Sequence, residues 1–484
     1  MAHYDYVIVG GGIAGVSCAE TLSYCAHDSR SVLVSASPVV KVATRFKQVT
    51  KVLEEFDVEE QSLDDIAKRI GSVGVLLDQA VSISHTERIV RLASGVALNY
   101  GKLCLCTGGK PKLIARNNPY VIGIRDTETV QEFQKRLQDA TRVIIVGNGG
   151  IATEMVSELE NVDVVWVVKH KSISATFVDA GAAEFFLKSW SEKRQQRNDE
   201  IQLNKPSARL KYTESSNSSL PSTTAGSALG PDWAGNILMS GKFYTAGSLQ
   251  IEYECEIAGI LTPDECLVKN LPAWENGKYP VYAELTNGKI IGCDFIVSAT
   301  GVIPNVDLVI GCMPADGIAV DGGIKVNENM ESILEDVFVA GDACTCAWET
   351  APHWIQMRLW TQARQMGAYA ARSMIAKTTH QSVHLDFAFE LFAHITKFFG
   401  FKVVLLGLFN GQGLEKEYEI LLRMTVGVEY IKIIVKNGKV QGAILIGDSD
   451  LEETFENLIL NGTDVARYGE DLLNPDIDIE DYFD

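Results

Sequence analysis

The chain has no run of about 18 consecutive apolar residues, so a membrane-spanning helix is not expected. Positive charge is in short supply. Lys and Arg number 43 against 63 Asp and Glu, a formal net charge of −20. That balance repels nucleic acid and anionic lipid, so no direct nucleic-acid contact is expected. C-x-x-C is missing, and the 10 cysteines fall at no spacing suited to zinc, so no metal site is expected. Buried, reduced thiols are the default reading, which predicts a cytoplasmic or nuclear protein. No charged and apolar leader precedes the first strand pattern at Tyr6, so no secretory signal is expected.

What the chain has in quantity is length, 484 residues with 46% hydrophobic, enough for two or three domains. The first signal comes at once. Tyr6 to Val9 read as a buried strand, and Gly10, Gly12 and Gly15 follow in the spacing G-x-G-x-x-G. Gly10 allows the tight turn, Gly12 clears room for a pyrophosphate, and Gly15 lets helix and strand approach. Ile13 and Ala14 open the helix, whose free N–H groups and dipole favour an anion. The next strand, Val32 to Val34, ends at Ser35, where a dinucleotide site often carries a carboxylate for a ribose hydroxyl. A serine offers a weaker grip.

Lys41 to Gln61, rich in both charges, reads as loop and helix beside this pocket, and residues 73–98 as a small antiparallel sheet. A buried strand over Leu103 to Cys106 runs into Thr107-Gly108. A second strand–turn–helix unit follows, with Gly147, Gly149, Gly150, Ile151 and Ala152 in the spacing G-x-G-x-x-A, and Glu154 just beyond. Its companion strand ends at Lys169. A cation there can take a 2′-phosphate, which leans towards NADPH; the plain alternative is a solvated lysine.

Residues from about 172 to 248 break the rhythm, and Thr213 to Ser227 is polar without apolar period, which predicts a mobile insertion. Strand patterns return at Leu249 to Ile260 and Val281 to Leu285, with a hairpin turn at Asn287-Gly288. Ala299-Thr300-Gly301 closes one strand and Ala340-Gly341-Asp342 another, before a helix predicted over Gln356 to Ile375. From His384 phenylalanines crowd together and strands follow, with a hairpin at Asn437-Gly438. A tail rich in Asp and Glu ends the chain, and reads either as solvating or as a binding segment.

The order of these signals resembles the pyridine nucleotide–disulfide oxidoreductases, flavoproteins with two dinucleotide-binding domains. The resemblance spans roughly residues 5–375. It implies an α/β fold with two Rossmann-like three-layer domains and a smaller C-terminal α+β domain. The FAD-binding domain would comprise 1–125 and 295–378, the NAD(P)H-binding domain 126–294, and the C-terminal domain 379–484. It further implies that Gly10 to Gly15, Ser35, Thr107, Gly108, Thr300, Gly301, Gly341 and Asp342 serve FAD. Gly147 to Ala152, Glu154 and Lys169 would serve NAD(P)H. The same resemblance implies that Lys41 and Lys47 can reach the flavin, the plain alternative being solvated lysines, while Trp354 reads either as stacking on the flavin or as filling the core.

One departure bears on chemistry. Relatives that reduce disulfides carry a cysteine pair after the second strand or in the NAD domain, yet residues 38–60 and 135–254 here contain no cysteine. Cys104-Leu-Cys106 reads as core filler, and Cys344-Thr-Cys346 as the pair nearer the flavin. The resemblance therefore implies an FAD-dependent NAD(P)H oxidoreductase without a redox dithiol, passing hydride equivalents from flavin N5 to oxygen, a quinone or a partner. A second implication is a protective binding module, since relatives are associated with guarding the tRNA ligase complex from oxidation.

Overall fold

The computed structural model describes residues 2–124, 127–203, 239–242, 247–269, 278–415 and 417–474. The polar stretch Thr213 to Ser227 and the last ten residues of the acidic tail lie outside them.

The first layer is built around the strand Ala2–Val9, whose last four residues are buried. Ser31–Ser35 and Ala97–Leu105 flank it in parallel; Val73–Leu77 and Val337–Val339 add one strand at each side. Only Ala80–Ser84, Ile89–Leu92 and the start of Ala97–Leu105 pair antiparallel. The small sheet expected over 73–98 is therefore split, its first strand belonging to the parallel run. Helix Ile13–Cys25 lies against helix Trp360–Thr378 so closely that a Cβ on Gly367 would collide with the Ala14 carbonyl. The second of these helices starts four residues later than expected, because the Gln356 side chain is tied to the Cys346 N–H and the Cys344 carbonyl.

The stretch expected as loop and helix, Lys41 to Gln61, is instead a long antiparallel hairpin, Val39–Gln48 with Glu54–Ser62. Its period is two. Val40, Val42, Phe56 and Val58 turn inward and are buried, while opposite charges face each other across the ribbon, Arg45 meeting Asp57 at 2.9 Å and Glu59 at 2.7 Å. At its tip Thr50 and the Val52 N–H bond the carboxylate of Glu456, a fully buried residue of helix Glu452–Asn461.

The second layer is a five-stranded parallel sheet in the order Val121–Ile122, Phe295–Ser298, Arg142–Val146, Asp163–Val167, Leu249–Glu252. Its first two strands come from segments that the sequence reading assigns to the first domain, so the chain crosses between layers after Ser298 rather than before Phe295. An antiparallel ribbon of Ile257–Leu261, Val281–Leu285 and Ile290–Cys293 adjoins it, turning at Asn287-Gly288 as expected. The C-terminal sheet has five antiparallel strands, with Glu419–Thr425 at one edge. Asn437 and Gly438 both have positive φ, the geometry a two-residue hairpin turn needs.

The crowded phenylalanines form the seam between the second and third units. Phe186 stacks on Phe399 at 5.4 Å and Phe185 meets Phe401 at 5.1 Å, while Phe398 and Phe409 are wholly buried. Among the described residues no helix is long and apolar enough to cross a membrane.

Candidate functional site

A cavity of about 680 Å³ opens over the first glycine turn. Its walls come from Gly10 to Ala14, from Ser35 to Lys41, from Cys106 to Gly109, and from Ala340 to Asp342. A second cavity of about 520 Å³ shares Gly10, Ala36, Thr107 and Asn305 and runs on past Asp78 to Val81. Together they make one elongated trough along the carboxyl ends of the strands, where an open α/β sheet binds its ligand.

The glycines are needed in the way their spacing predicts. Gly10 has φ +122, and a Cβ there would collide with the Cys106 carbonyl. A Cβ on Gly15 would strike the carbonyl of Gly10. Gly12 is different: nothing lies within 4 Å of its Cβ position, so the space it faces is open to a ligand. Gly12 also caps helix Ile13–Cys25, and no acidic side chain competes in its first turn. These features fit a pyrophosphate.

Gly341, at φ +73, turns the chain so that Asp342 lines the trough while itself buried. Thr107 and Asn305 stitch the two crossings between layers: the Thr107 hydroxyl donates to the Asn305 carbonyl at 2.6 Å, and Asn305 Nδ2 donates to the Thr107 carbonyl at 3.0 Å. Asn305 is not singled out by the sequence, since it lies four residues beyond Gly301 and carries no motif. Ser35 lines the wall, with its hydroxyl already donating to the Ser37 carbonyl at 2.8 Å. Gly108 has φ +66. Thr300 and Gly301 do not line either cavity: the Thr300 hydroxyl donates to the Lys112 carbonyl at 2.7 Å, and both residues serve the crossing.

Lys41 lines the trough, 3.9 Å from Glu60 and 5.5 Å from the centre of the Trp360 ring. Lys47 does not. It is exposed and roughly 20 Å further along the hairpin strand, opposite Glu55. Of the two readings open for Trp354 the core one holds: it is buried against Trp348 and Phe389, and Trp360 is the tryptophan of the cavity wall.

Cys104 and Cys106 lie 3.6 Å apart, on the strand beneath the glycine turn. Cys106 touches the trough only at that end, where a Cβ on Gly15 would meet it. Hydrogen bonding from Cys106 and Cys18 lowers the Cys104 thiol to about 5, while hydrogen bonding to Cys104 and burial push Cys106 up. Burial pushes Cys344 up to about 12 and Cys346 up as well, the opposite of thiolate activation.

The second glycine turn repeats the first. Gly147 has φ +142 and a Cβ there would collide with the Ala299 carbonyl, while Gly149 faces open space at the start of helix Gly150–Glu158. Gly150, Ile151, Ala152 and Glu154 all fall in that helix, Ala152 and Glu154 buried. Asn148 Nδ2 reaches His170 Nδ1 at 3.0 Å and the Ser172 carbonyl at 2.9 Å. Lys169 is exposed and paired with Glu256 at 3.0 Å.

Comparison with known proteins agrees with this geometry. The family described as pyridine nucleotide-disulphide oxidoreductase matches residues 4–201 and 266–367, and the rubredoxin NAD+ reductase C-terminal domain matches 393–463. Over 497 residues the chain is 48% identical to pyridine nucleotide-disulfide oxidoreductase domain-containing protein 1 of Homo sapiens, covering 99% of this chain and 98% of that one. It is 38% identical over 542 residues to the protein of that name from Dictyostelium discoideum, covering 99% of each. Among solved structures, the covalent putidaredoxin reductase–putidaredoxin complex superposes with a TM-score of 0.62 at 15% identity, covering 96% of this chain and 94% of that one. The water-forming NADH oxidase from Lactobacillus brevis bound to NADH gives 0.63 at 14%, covering 95% and 91%. The chain belongs to the pyridine nucleotide-disulphide oxidoreductase family.

Proposed function

We propose that this family member is an FAD-dependent NAD(P)H oxidoreductase that works without a dithiol relay. The observation that carries it is the long trough, walled by a glycine turn, by Asp342 and by a hairpin free of sulfur where disulfide-reducing relatives carry their cysteines. FAD bound there would supply hydride acceptance from NAD(P)H and onward electron delivery.

The protein's part is positional. Gly10 to Gly15 would hold the pyrophosphate against the helix N-terminus, and Asp342 would accept hydrogen bonds from ribityl or ribose hydroxyls. Lys41 and Trp360 would border the reactive end and limit water there, and Gly147 to Ala152 would cradle the second pyrophosphate. Oxygen, a quinone or a protein is the acceptor in this reading. Ten unbridged cysteines support a reducing cytoplasmic or nuclear setting.

The test is direct. Purified protein is assayed for bound flavin, then mixed anaerobically with NADH and with NADPH in a stopped-flow instrument, and the reduced form is offered oxygen, quinones and one-electron acceptors. If no flavin is bound and added FAD restores no NAD(P)H consumption, the reading is wrong.

A second reading draws support from the edge strand Glu419–Thr425, where Ile420, Leu422 and Met424 are half exposed on one face of an unpaired sheet edge. Here turnover is secondary, and the flavin-bearing chain binds and protects a partner such as the tRNA ligase complex. Affinity capture with and without NAD(P)H separates the two. A partner held only in the presence of the dinucleotide favours protection.

A further inference from the structure

The end of the strand Asp163–Val167 decides which dinucleotide fits, and its surroundings were invisible in the local sequence. In the first motif the Gly10 N–H bonds the Val34 carbonyl, and Ser35 follows. In the second the Gly147 N–H bonds the Val167 carbonyl in the same way, so Val168 stands where Ser35 does. That is the site from which a carboxylate holds the ribose of NAD, and here it is a wholly buried valine. Beyond it come Lys169, His170 and Lys171, an apparent invitation to a 2′-phosphate.

The neighbouring segment answers that charge. The Cys255 N–H bonds the Val168 carbonyl at 3.0 Å and the Glu254 N–H bonds the His170 carbonyl at 3.2 Å, which brings two carboxylates alongside. Glu256 sits 3.0 Å from Lys169, and Glu254 sits 4.0 Å from Lys171. Asn148 orients His170 beside them. The Ser172 carbonyl can only accept, so the Asn148 atom bonded to it is the amide nitrogen, and the same nitrogen donates to His170 Nδ1. The imidazole Nδ1 is thereby the acceptor, and Nε2 is the ring nitrogen left to meet a ligand.

We propose that Glu254 and Glu256 set the dinucleotide preference, cancelling Lys169 and Lys171 so that the strand end favours neither a 2′-hydroxyl nor a 2′-phosphate. His170, oriented by Asn148, is then the side chain at the ribose edge and serves NADH and NADPH alike. This rests on the reading of the second glycine turn as a dinucleotide site.

The experiment titrates NADH and NADPH separately into the purified holoprotein and reads protein fluorescence, since the Trp166 indole donates to the Gly147 carbonyl at 2.7 Å. Wild type is expected to bind the two with dissociation constants within about threefold of each other. Glu254→Gln combined with Glu256→Gln is expected to tighten NADPH about tenfold while moving NADH less than about twofold. Because the freed lysines are exposed, high salt is expected to erase the gain, which a merely structural change would not do. Adding Lys169→Ala to the pair is expected to return the ratio towards wild type. A wild-type preference beyond about tenfold in either direction, or an unchanged ratio in the double variant, overturns the proposal. Failure of wild type to bind either dinucleotide overturns the site reading instead.

Discussion

The two glycine turns differ at the third position of the motif, Gly15 against Ala152, and the reason lies in a carbonyl. At both, the first glycine has positive φ and abuts a carbonyl of the adjoining strand end, Cys106 in one case and Ala299 in the other. At both, the second glycine faces open space. At the third place Gly15 tolerates no Cβ because the Gly10 carbonyl occupies the spot, whereas Ala152 fits, fully buried, in the second turn. There the Gly147 carbonyl is engaged by the Trp166 indole. The demand for glycine at the third position thus follows from where the first residue's carbonyl points, not from the motif as such.

The largest break in this symmetry is expected from Gly10→Ala. It meets both a backbone collision and a left-handed φ, the latter alone costing about 1–2 kcal/mol. Flavin absorbance of the purified protein should fall to background, while Gly147→Ala should leave flavin in place and abolish dinucleotide binding. Retained flavin in the first variant would show that the turn does not hold it.

The hairpin that walls the first turn is secured from a distant part of the chain. Glu456→Ala would leave the Thr50 hydroxyl and the Val52 N–H without their acceptor, at about 1–3 kcal/mol per group. Chemical denaturation should register that loss, and Glu456→Gln, which keeps an acceptor, should recover most of it.

His394 lies where the two turns meet the third unit, its Nδ1 3.3 Å from the hydroxyl of Thr361 in the first turn of helix Trp360–Thr378. Burial lowers its pKa from 6.5 to about 4. The unfolded chain therefore binds the extra proton first. Stability from this group is complete above pH 6.5, falls as pH drops towards 4, and is level below that, a change of up to about 3 kcal/mol. His394→Gln should flatten that part of the stability–pH curve; an unaltered slope would remove His394 as its source. The smallest effect is expected from Ala152→Gly, about 0.5–1 kcal/mol of helix stability in a thermal scan, with dinucleotide affinity kept.

Much of this was legible because it is local. A glycine turn, a strand end and a hairpin dipeptide each declare themselves within a few residues, and Gly10, Gly147, Asp342 and Asn437-Gly438 all did so. The hairpin Val39–Ser62 was missed because its alternation is masked: charges of both signs on the outer face imitate a polar loop until the two strands are paired. Lys47 failed for a related reason, since nearness along the chain says nothing about which way a strand carries a side chain, and for the same reason the sequence left Trp354 open between flavin and core. Glu254 and Glu256 lie more than 80 residues beyond Lys169 and Lys171, and only the parallel pairing of Leu249–Glu252 with Asp163–Val167 brings them together.

The contact between Thr50 and Glu456 spans 406 residues. During synthesis at about 5–20 residues per second, the hairpin would leave the ribosome roughly 20–80 s before its anchor exists. Over the same interval the first sheet also lacks Val337–Val339. The newborn first layer is therefore an incomplete object for most of translation, with its cavity wall untethered. A holdase or free flavin reaching the nascent chain would act in that interval, before the last helix arrives to secure the tip.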